Sequence, residues 1–378
     1  MIFDACAAIF LKWLEWSETA ALRLAFACCA AHHLGSDPLW LLILAPSGSG
    51  KTEMLRAFTG LPFTRDVSSL TPKTLWSGHQ SGKGSLVLKL DGKLVLIKEL
   101  GTILSESDRD ARKILGKLRE VHDGYFTGDY GTGDEIVWRG RVGLLATGVE
   151  AVEDHLHLGS QLGERFVSFR PKLADALATA ERSAGNTRLE TKMRAELMDA
   201  VTQHWALLVS RLTSPAELTP ADTSRISRLS TWVAHVRSAL PRDHTHEPTM
   251  ALRPELPGRL ARTLSALAIA LATIRGRGRL VRDDYALVRR VAIDSAPPGK
   301  IEIARQLIRE KHPLNAWTLA EEQRLTYSVV QRWADDLWHF RVLTRMGKGQ
   351  RGDPYLYALS PMTQDILAGT DITDHDFE

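Results

Sequence analysis

Residues 45–52 read Ala-Pro-Ser-Gly-Ser-Gly-Lys-Thr, a run of small residues ending in Lys-Thr that has the form of a phosphate cradle. Gly48 and Gly50 let the backbone curl so that successive N–H groups face one anion. Lys51 has the reach to pair with the β- and γ-phosphates of a nucleoside triphosphate, and Thr52 offers a hydroxyl to Mg²⁺. Pro46, Ser47, Gly48, Ser49, Gly50, Lys51 and Thr52 are therefore the candidate cofactor-binding residues, with ATP and Mg²⁺ as the expected ligands. Ala45 departs from the pattern, which usually opens on glycine. The flanks suit the motif. The apolar run 38–45 is too short for a helix and reads as a buried parallel strand. A helix expected from about Lys51 to Phe58 turns its N-terminus toward the same anion.

Hydrolysis needs an acid at the end of a neighbouring strand. Leu94-Val-Leu-Ile97 is that strand, and it ends Lys98-Glu99-Leu100 where an Asp-Glu pair is usual. In one alignment Lys98 stands at the position of a metal-associated Asp and Glu99 at that of a water-polarising Glu. Shifted by one, Glu99 is the metal-associated acid and no second acid follows. A lysine near Mg²⁺ is electrostatically unfavourable unless it points away. Glu99 is the expected essential acid, shared between catalysis and, with Thr52, the metal.

Several elements must hold these residues. Ser85–Leu90 and Lys93–Ile97 read as strands joined at an Asp91-Gly92 hairpin turn. A charged helix is expected from about Ser107 to His122, then a Gly-rich aromatic segment, 124–134. A strand follows over about Ile136–Thr147, broken near Gly140. This alternation predicts an α/β fold with a largely parallel sheet. From about residue 173 Ala, Leu and Arg dominate with helical periodicity, interrupted by proline-containing breaks at 214–220 and 241–257. Pro297-Pro298-Gly299 reads as a linker. The expected organisation is an N-terminal helical segment (1–35), an ATPase core (36–172), a helical insertion and lid (173–298), a small domain (299–361) and an acidic tail (362–378).

Residues 300–359 resemble a winged helix, with helices at Ile301–Glu310, Thr318–Arg324 and Tyr327–Phe340 and a two-stranded wing over 342–360. Val329, Val330, Trp333, Leu337 and Phe340 give the third helix one buried face and leave Ser328, Gln331, Arg332 and Asp335 outside. Such a helix can enter the major groove of DNA. Arg341, Arg345, Lys348 and Arg351 form a basic stretch without acids, suited to phosphates. Asp335 and Asp336 oppose that reading, and a protein-docking role for the same module is the other possibility.

The order of the phosphate loop, the Lys-Glu strand, LREVHDG (118–124), GLLATGV (143–149) and LGERF (162–166) resembles AAA+ ATPases that carry a hairpin before the strand called sensor 1. The nearest resemblance is to helicase-like ATP-binding proteins of bacteriophages and mobile elements. Minichromosome-maintenance and superfamily-three helicases are more distant. The match covers roughly residues 36–172 well and 250–360 loosely. The resemblance implies a P-loop AAA+ core followed by an α-helical lid and a winged helix. It makes Thr147 the sensor 1 residue that orients water, and Arg165 an arginine finger acting on ATP held by a neighbouring subunit. Arg259 becomes the sensor 2 residue, with Arg262 as its rival. It also implies a homo-oligomeric ring, a hexamer, whose pore is lined by a hairpin within 122–141. There Tyr130, with Tyr125 and Phe126, would stack on bases of a single strand, and Arg139 and Arg141 would contact phosphates.

A net charge of +3 gives no bulk signal for nucleic acid, so the local distribution has to carry it. Three cysteines, Cys6, Cys28 and Cys29, have neither metal-ligand nor disulfide spacing and fit a reducing cytoplasm. Charged residues interrupt the apolar N-terminus, so no membrane span is expected. Trp13 and Trp16, like Trp333 and Trp338, have spacings that suit helix packing. Asp243-His-Thr-His-Glu247 and Glu153-Asp-His-Leu-His157 lack further ligands and read as solvated loops. The expectation is a DNA-dependent AAA+ ATPase, a helicase or replication motor. The alternatives are an ATP-switched DNA scaffold or loader with slow hydrolysis, and a partner-regulating ATPase without nucleic acid.

Overall fold

A computed structural model describes the chain apart from Met1, Ser36, 77–84, Glu106, 130–134, 154–164, His244, His246, 251–252, 351–352, Asp371 and 373–378. The described chain divides into two compact units: Met1–Glu217 with Ala266–Asp284, and Leu218–Ser265 with Tyr285–Glu378. No helix among the described residues is long and apolar enough to cross a membrane.

The first unit contains β1 (Trp40–Leu44), β2 (Thr64–Asp66), β3 (Leu94–Ile97), β4 (Tyr125–Asp129), β5 (Glu135–Arg139), β6 (Gly143–Gly148) and β7 (Val167–Phe169). Its helices are α1 (Ile2–Trp13), α2 (Ala20–His33), α3 (Lys51–Ala57), α4 (Pro72–Leu75), α5 (Leu100–Leu104), α6 (Asp108–Asp123), α7 (Ala176–Gly185) and α8 (Glu190–Val209). Five strands form one sheet in the order β2-β3-β6-β1-β7, and every pairing in it is parallel. Each residue of β1, β3 and β6 is buried, as expected of a parallel sheet covered on both faces. The α/β fold with a parallel sheet is thus as read from the sequence.

The register fixes the site. Ile43 lies beside Thr147 and Leu44 beside Gly148, while Ile97 pairs with Ala146. The loop after β1, the turn after β3 and the end of β6 therefore meet at one edge of the sheet. The acid-bearing strand is not the immediate neighbour of β1, because β6 lies between them.

Two local expectations are corrected. Leu86–Lys89 is a 3-10 turn rather than a strand. Both edges of β3 are already paired, with β2 and β6, so no hairpin partner fits there. Val87 and Leu90, three residues apart, instead turn one face into the core. Pro297-Pro298-Gly299 is not a linker: Pro298 opens a helix at the first helical position, where its missing N–H costs nothing.

The second unit holds most of α9 to α15. These are α9 (Pro220–Arg237), α10 (Gly258–Ile274), α11 (Arg282–Asp294), α12 (Pro298–Glu310), α13 (Ala316–Gln323), α14 (Tyr327–His339) and α15 (Pro361–Thr370). The unit boundaries fall within α10 and α11. Its antiparallel sheet has the order β8-β10-β9, from β8 (Leu314–Asn315), β9 (Leu343–Met346) and β10 (Leu356–Leu359). The tail expected from residue 362 begins inside α15, which buries Thr363, Ile366, Leu367 and Thr370.

Candidate functional site at the phosphate loop

Gly48 and Gly50 have φ of +84° and +80°, the left-handed region that costs an L-residue about 1–2 kcal/mol. Gly50 is needed twice over. A Cβ there would come within 3.1 Å of Trp16 Nε1 and 3.3 Å of Leu14 Cδ1. Trp16 lies just beyond α1, and its indole N–H donates to the Ser49 carbonyl at 3.0 Å. The expectation that Trp16 merely packs a helix is corrected: it braces the phosphate loop from outside. The hydroxyl of Ser49 is buried and has no protein partner, as expected of a group that awaits an anion.

Lys51, the first residue of α3, is 7% exposed and rests its ammonium on the Pro46 carbonyl at 3.2 Å. Burial lowers its pKa, and the nearby charge of Glu99 partly offsets that. Thr52 follows on the first turn of α3. Glu99 caps α5 by accepting the Gly101 amide at 3.3 Å. Its Oε1 is 3.5 Å from where a Cβ of Gly148 would stand, so the carboxylate lies across the end of β6, on the side of Lys51. Thr147 is fully buried, and its hydroxyl donates to the Lys98 carbonyl. That bond uses the only proton the hydroxyl has and ties the buried end of β6 to the turn that carries Glu99. The side chain of Lys98 turns to Asp66 at the end of β2 and forms an ion pair there. Lysine in the acid-bearing turn is thus directed away from the phosphate loop.

A cavity of about 380 Å³ opens beside the loop, walled mainly by apolar groups of Trp16, Ile43, Met54, Pro171 and Leu173. Its walls come from segments far apart in sequence, so nothing in the residue pattern announced it. No group of three or more His, Cys, Asp or Glu residues that could hold a metal occurs among the described residues. A Mg²⁺ ion at such a site would instead be held by one carboxylate, a hydroxyl and the oxygens of a bound nucleotide.

Arg165 makes a two-pronged ion pair with Asp123, at 2.8 and 3.3 Å, and its side chain is 8% exposed. Burial raises the Asp123 carboxyl, but the bonds from Arg165 and His122 outweigh it and hold the group below the usual carboxylate range. Arg165 precedes β7, which starts level with Leu41 of β1. At roughly 3.3 Å per residue, it lies about 20 Å along the sheet from the loop of its own chain.

The hairpin expected within 122–141 is present as β4 and β5. Its two faces differ. Phe126 and Trp138 are buried, with Phe126 stacked on Trp76 at 4.0 Å, so Phe126 is not available for base stacking. Tyr125 and Arg139 lie on the exposed face, the guanidinium 5.2 Å from the ring. Arg141 is corrected: its guanidinium donates to the carbonyls of Ala31 and His32 at 3.0 and 2.6 Å and closes the C-terminus of α2. A half-buried arginine spent on two carbonyls is not a phosphate contact. Tyr130 lies outside the described residues.

Arg259 and Arg262 stand on the first turns of α10, in the second unit. In the same unit Arg332 bonds the Ser328 carbonyl at 3.1 Å along its own helix. Arg345 is not a free phosphate ligand: it pairs with Asp335 at 3.0 Å and lies between the rings of Trp338 and Tyr355, 3.5 and 4.0 Å away. Asp336 is buried between Arg242 and Lys300, at 2.7 and 3.1 Å. Both acids are therefore neutralised internally. Lys348 is exposed, and Arg351 lies outside the described residues. The outer face of α14, through Gln331 and Arg332, shares a cavity of about 660 Å³ with Thr245, Pro248 and Met250, which lie between α9 and α10. No family model and no curated protein matches the chain.

Proposed function

We propose that the first unit is an ATPase of the AAA+ type whose turnover responds to DNA. One observation carries the reading: three separate strand ends bring Lys51, Thr147 and Glu99 to one edge of the sheet, beside a loop with an unpartnered buried hydroxyl. ATP would lie with its phosphates in the Gly48–Lys51 cradle and its base toward the 380 Å³ cavity. Lys51 would exchange the Pro46 carbonyl for phosphate oxygens. Thr52 and Glu99 are the side chains that would hold Mg²⁺, which neutralises phosphate charge when bound. Thr147, through its bond to the Lys98 carbonyl, would hold the turn that aims Glu99, and Glu99 would draw a proton from the attacking water.

Arg165 supports a shared site. It is too far along the sheet for its own nucleotide, so any γ-phosphate it touches belongs to another copy, and its pair with Asp123 would open on assembly. The exposed Tyr125–Arg139 face of the β4–β5 hairpin suits a single strand, with stacking and charge side by side. Residues 300–359 are read as a winged helix. The capture of Arg345 by Asp335, and the loop beside α14, favour a docking or assembly role for that module over groove insertion.

The test is the hydrolysis rate of the full chain without nucleic acid, with single-stranded DNA and with duplex DNA, using Lys51→Ala as the blank. Stimulation by single strands that falls with salt supports a motor. A slow rate indifferent to DNA favours the scaffold, and a Lys51→Ala rate equal to wild type overturns the site.

A further inference from the structure

We infer that Asp66 is a positioning residue for the metal side of the phosphate site: it holds the Lys98 ammonium away from Glu99 and thereby keeps that carboxylate available to Mg²⁺. The inference rests on the proposed nucleotide site and adds to it a residue that belongs to no motif.

The backbone of Lys98 cannot leave the site. Its carbonyl accepts the hydroxyl of buried Thr147, and it directly precedes Glu99. Only its side chain has a choice. A lysine ammonium on a four-carbon stem can reach the carboxylate of the next residue or the phosphates beside it. In the structure it is drawn the other way, to the Asp66 carboxylate at the far end of β2. The strand register makes this possible. Asp66 pairs with Leu96, so the ends of β2 and β3 stop together and the two side chains emerge at one edge.

Glu99 already faces one ammonium, that of Lys51. A second one would change the electrostatics in two opposite ways. It would pair with Glu99 and repel a dication, weakening Mg²⁺. It would also attract bare phosphate, strengthening nucleotide binding when no metal is present. Asp66 cancels both effects with one carboxylate. The pair is partly exposed, so its worth as a surface ion pair for folding is small, and its consequence is expected in the metal dependence.

The experiment measures equilibrium binding of a fluorescent ATP analogue to the full chain in excess Mg²⁺ and in EDTA. The readout is the dissociation constant in EDTA divided by that in Mg²⁺. It is compared for wild type, Asp66→Asn, Lys98→Met and the double variant, with thermal unfolding recorded for each. Asp66→Asn is expected to reduce the ratio about tenfold, equivalent to ~1.4 kcal/mol, with tighter binding in EDTA and weaker binding in Mg²⁺. Lys98→Met on the Asp66→Asn background is expected to restore the wild-type ratio, because the misplaced charge is gone. A ratio unchanged in Asp66→Asn overturns the inference. So does a reduced ratio that Lys98→Met fails to restore, which would mean that Asp66 acts only on the sheet edge. Absence of nucleotide binding by wild type would overturn the site itself, an outcome distinct from an unaltered ratio on a chain that binds.

Discussion

Replacing Thr147 by valine separates what its hydroxyl does for the fold from what it does for chemistry. The substitution keeps the shape of a fully buried side chain and deletes the donor to the Lys98 carbonyl. A net hydrogen bond is worth about 1 kcal/mol, and leaving a buried acceptor unsatisfied adds about 1 kcal/mol or more. The expected loss is therefore about 2 kcal/mol. For a unit of this size it appears as a fall of about 4–8 °C in the first unit's melting temperature. Thr147→Ser keeps the hydroxyl and removes one methyl, at a cost of about 1 kcal/mol. Turnover should split the two. The serine variant retains hydrolysis, whereas the valine variant loses it about 100-fold while binding ATP with unchanged affinity. Calorimetry and a coupled phosphate-release assay on both proteins make the comparison. Equal turnover in the valine variant would refute the role of Thr147 in aiming Glu99. An unchanged melting temperature would refute the bond to Lys98.

Two further changes follow from particular contacts. Gly50→Ala forces a left-handed backbone on alanine and pushes a methyl against Trp16 and Leu14; ATP affinity should fall at least about tenfold, and wild-type affinity in this variant would count against the cradle geometry. His204 is buried against Phe3 and Phe26, and burial lowers its pKa to about 4, so the folded chain holds it neutral while the unfolded chain protonates it near 6.5. Its contribution to stability is complete above pH 6.5 and is lost as pH falls toward 4, by up to about 3 kcal/mol. Urea midpoints across that window should flatten in His204→Leu, and an unchanged slope would remove His204 from the acid sensitivity.

Much of the site could be read from the sequence because its chemistry is local. Residues 45–52 carry their own geometry, and the all-apolar runs at 40–44 and 94–97 could only be buried strands. What escaped depends on pairings across the chain. β2 and β7 are three residues each, too short to show a period, yet they complete the sheet. The direction of Lys98 is set by Asp66, 32 residues earlier. Arg141 and Arg345 look alike in sequence, as basic residues near elements expected to meet DNA. One closes a helix and the other is held between two rings, which only tertiary packing decides. The amphipathic spacing of α14 was legible, but not the loop that shares a cavity with its outer face.

The central claim is that Lys51 binds and Glu99 reacts. It is tested most directly by measuring ATP affinity and hydrolysis rate together for wild type, Lys51→Ala and Glu99→Gln. The account predicts that Lys51→Ala loses binding and turnover alike, while Glu99→Gln still binds ATP but hydrolyses it at least about 100-fold more slowly. Turnover at the wild-type rate in Glu99→Gln would contradict it.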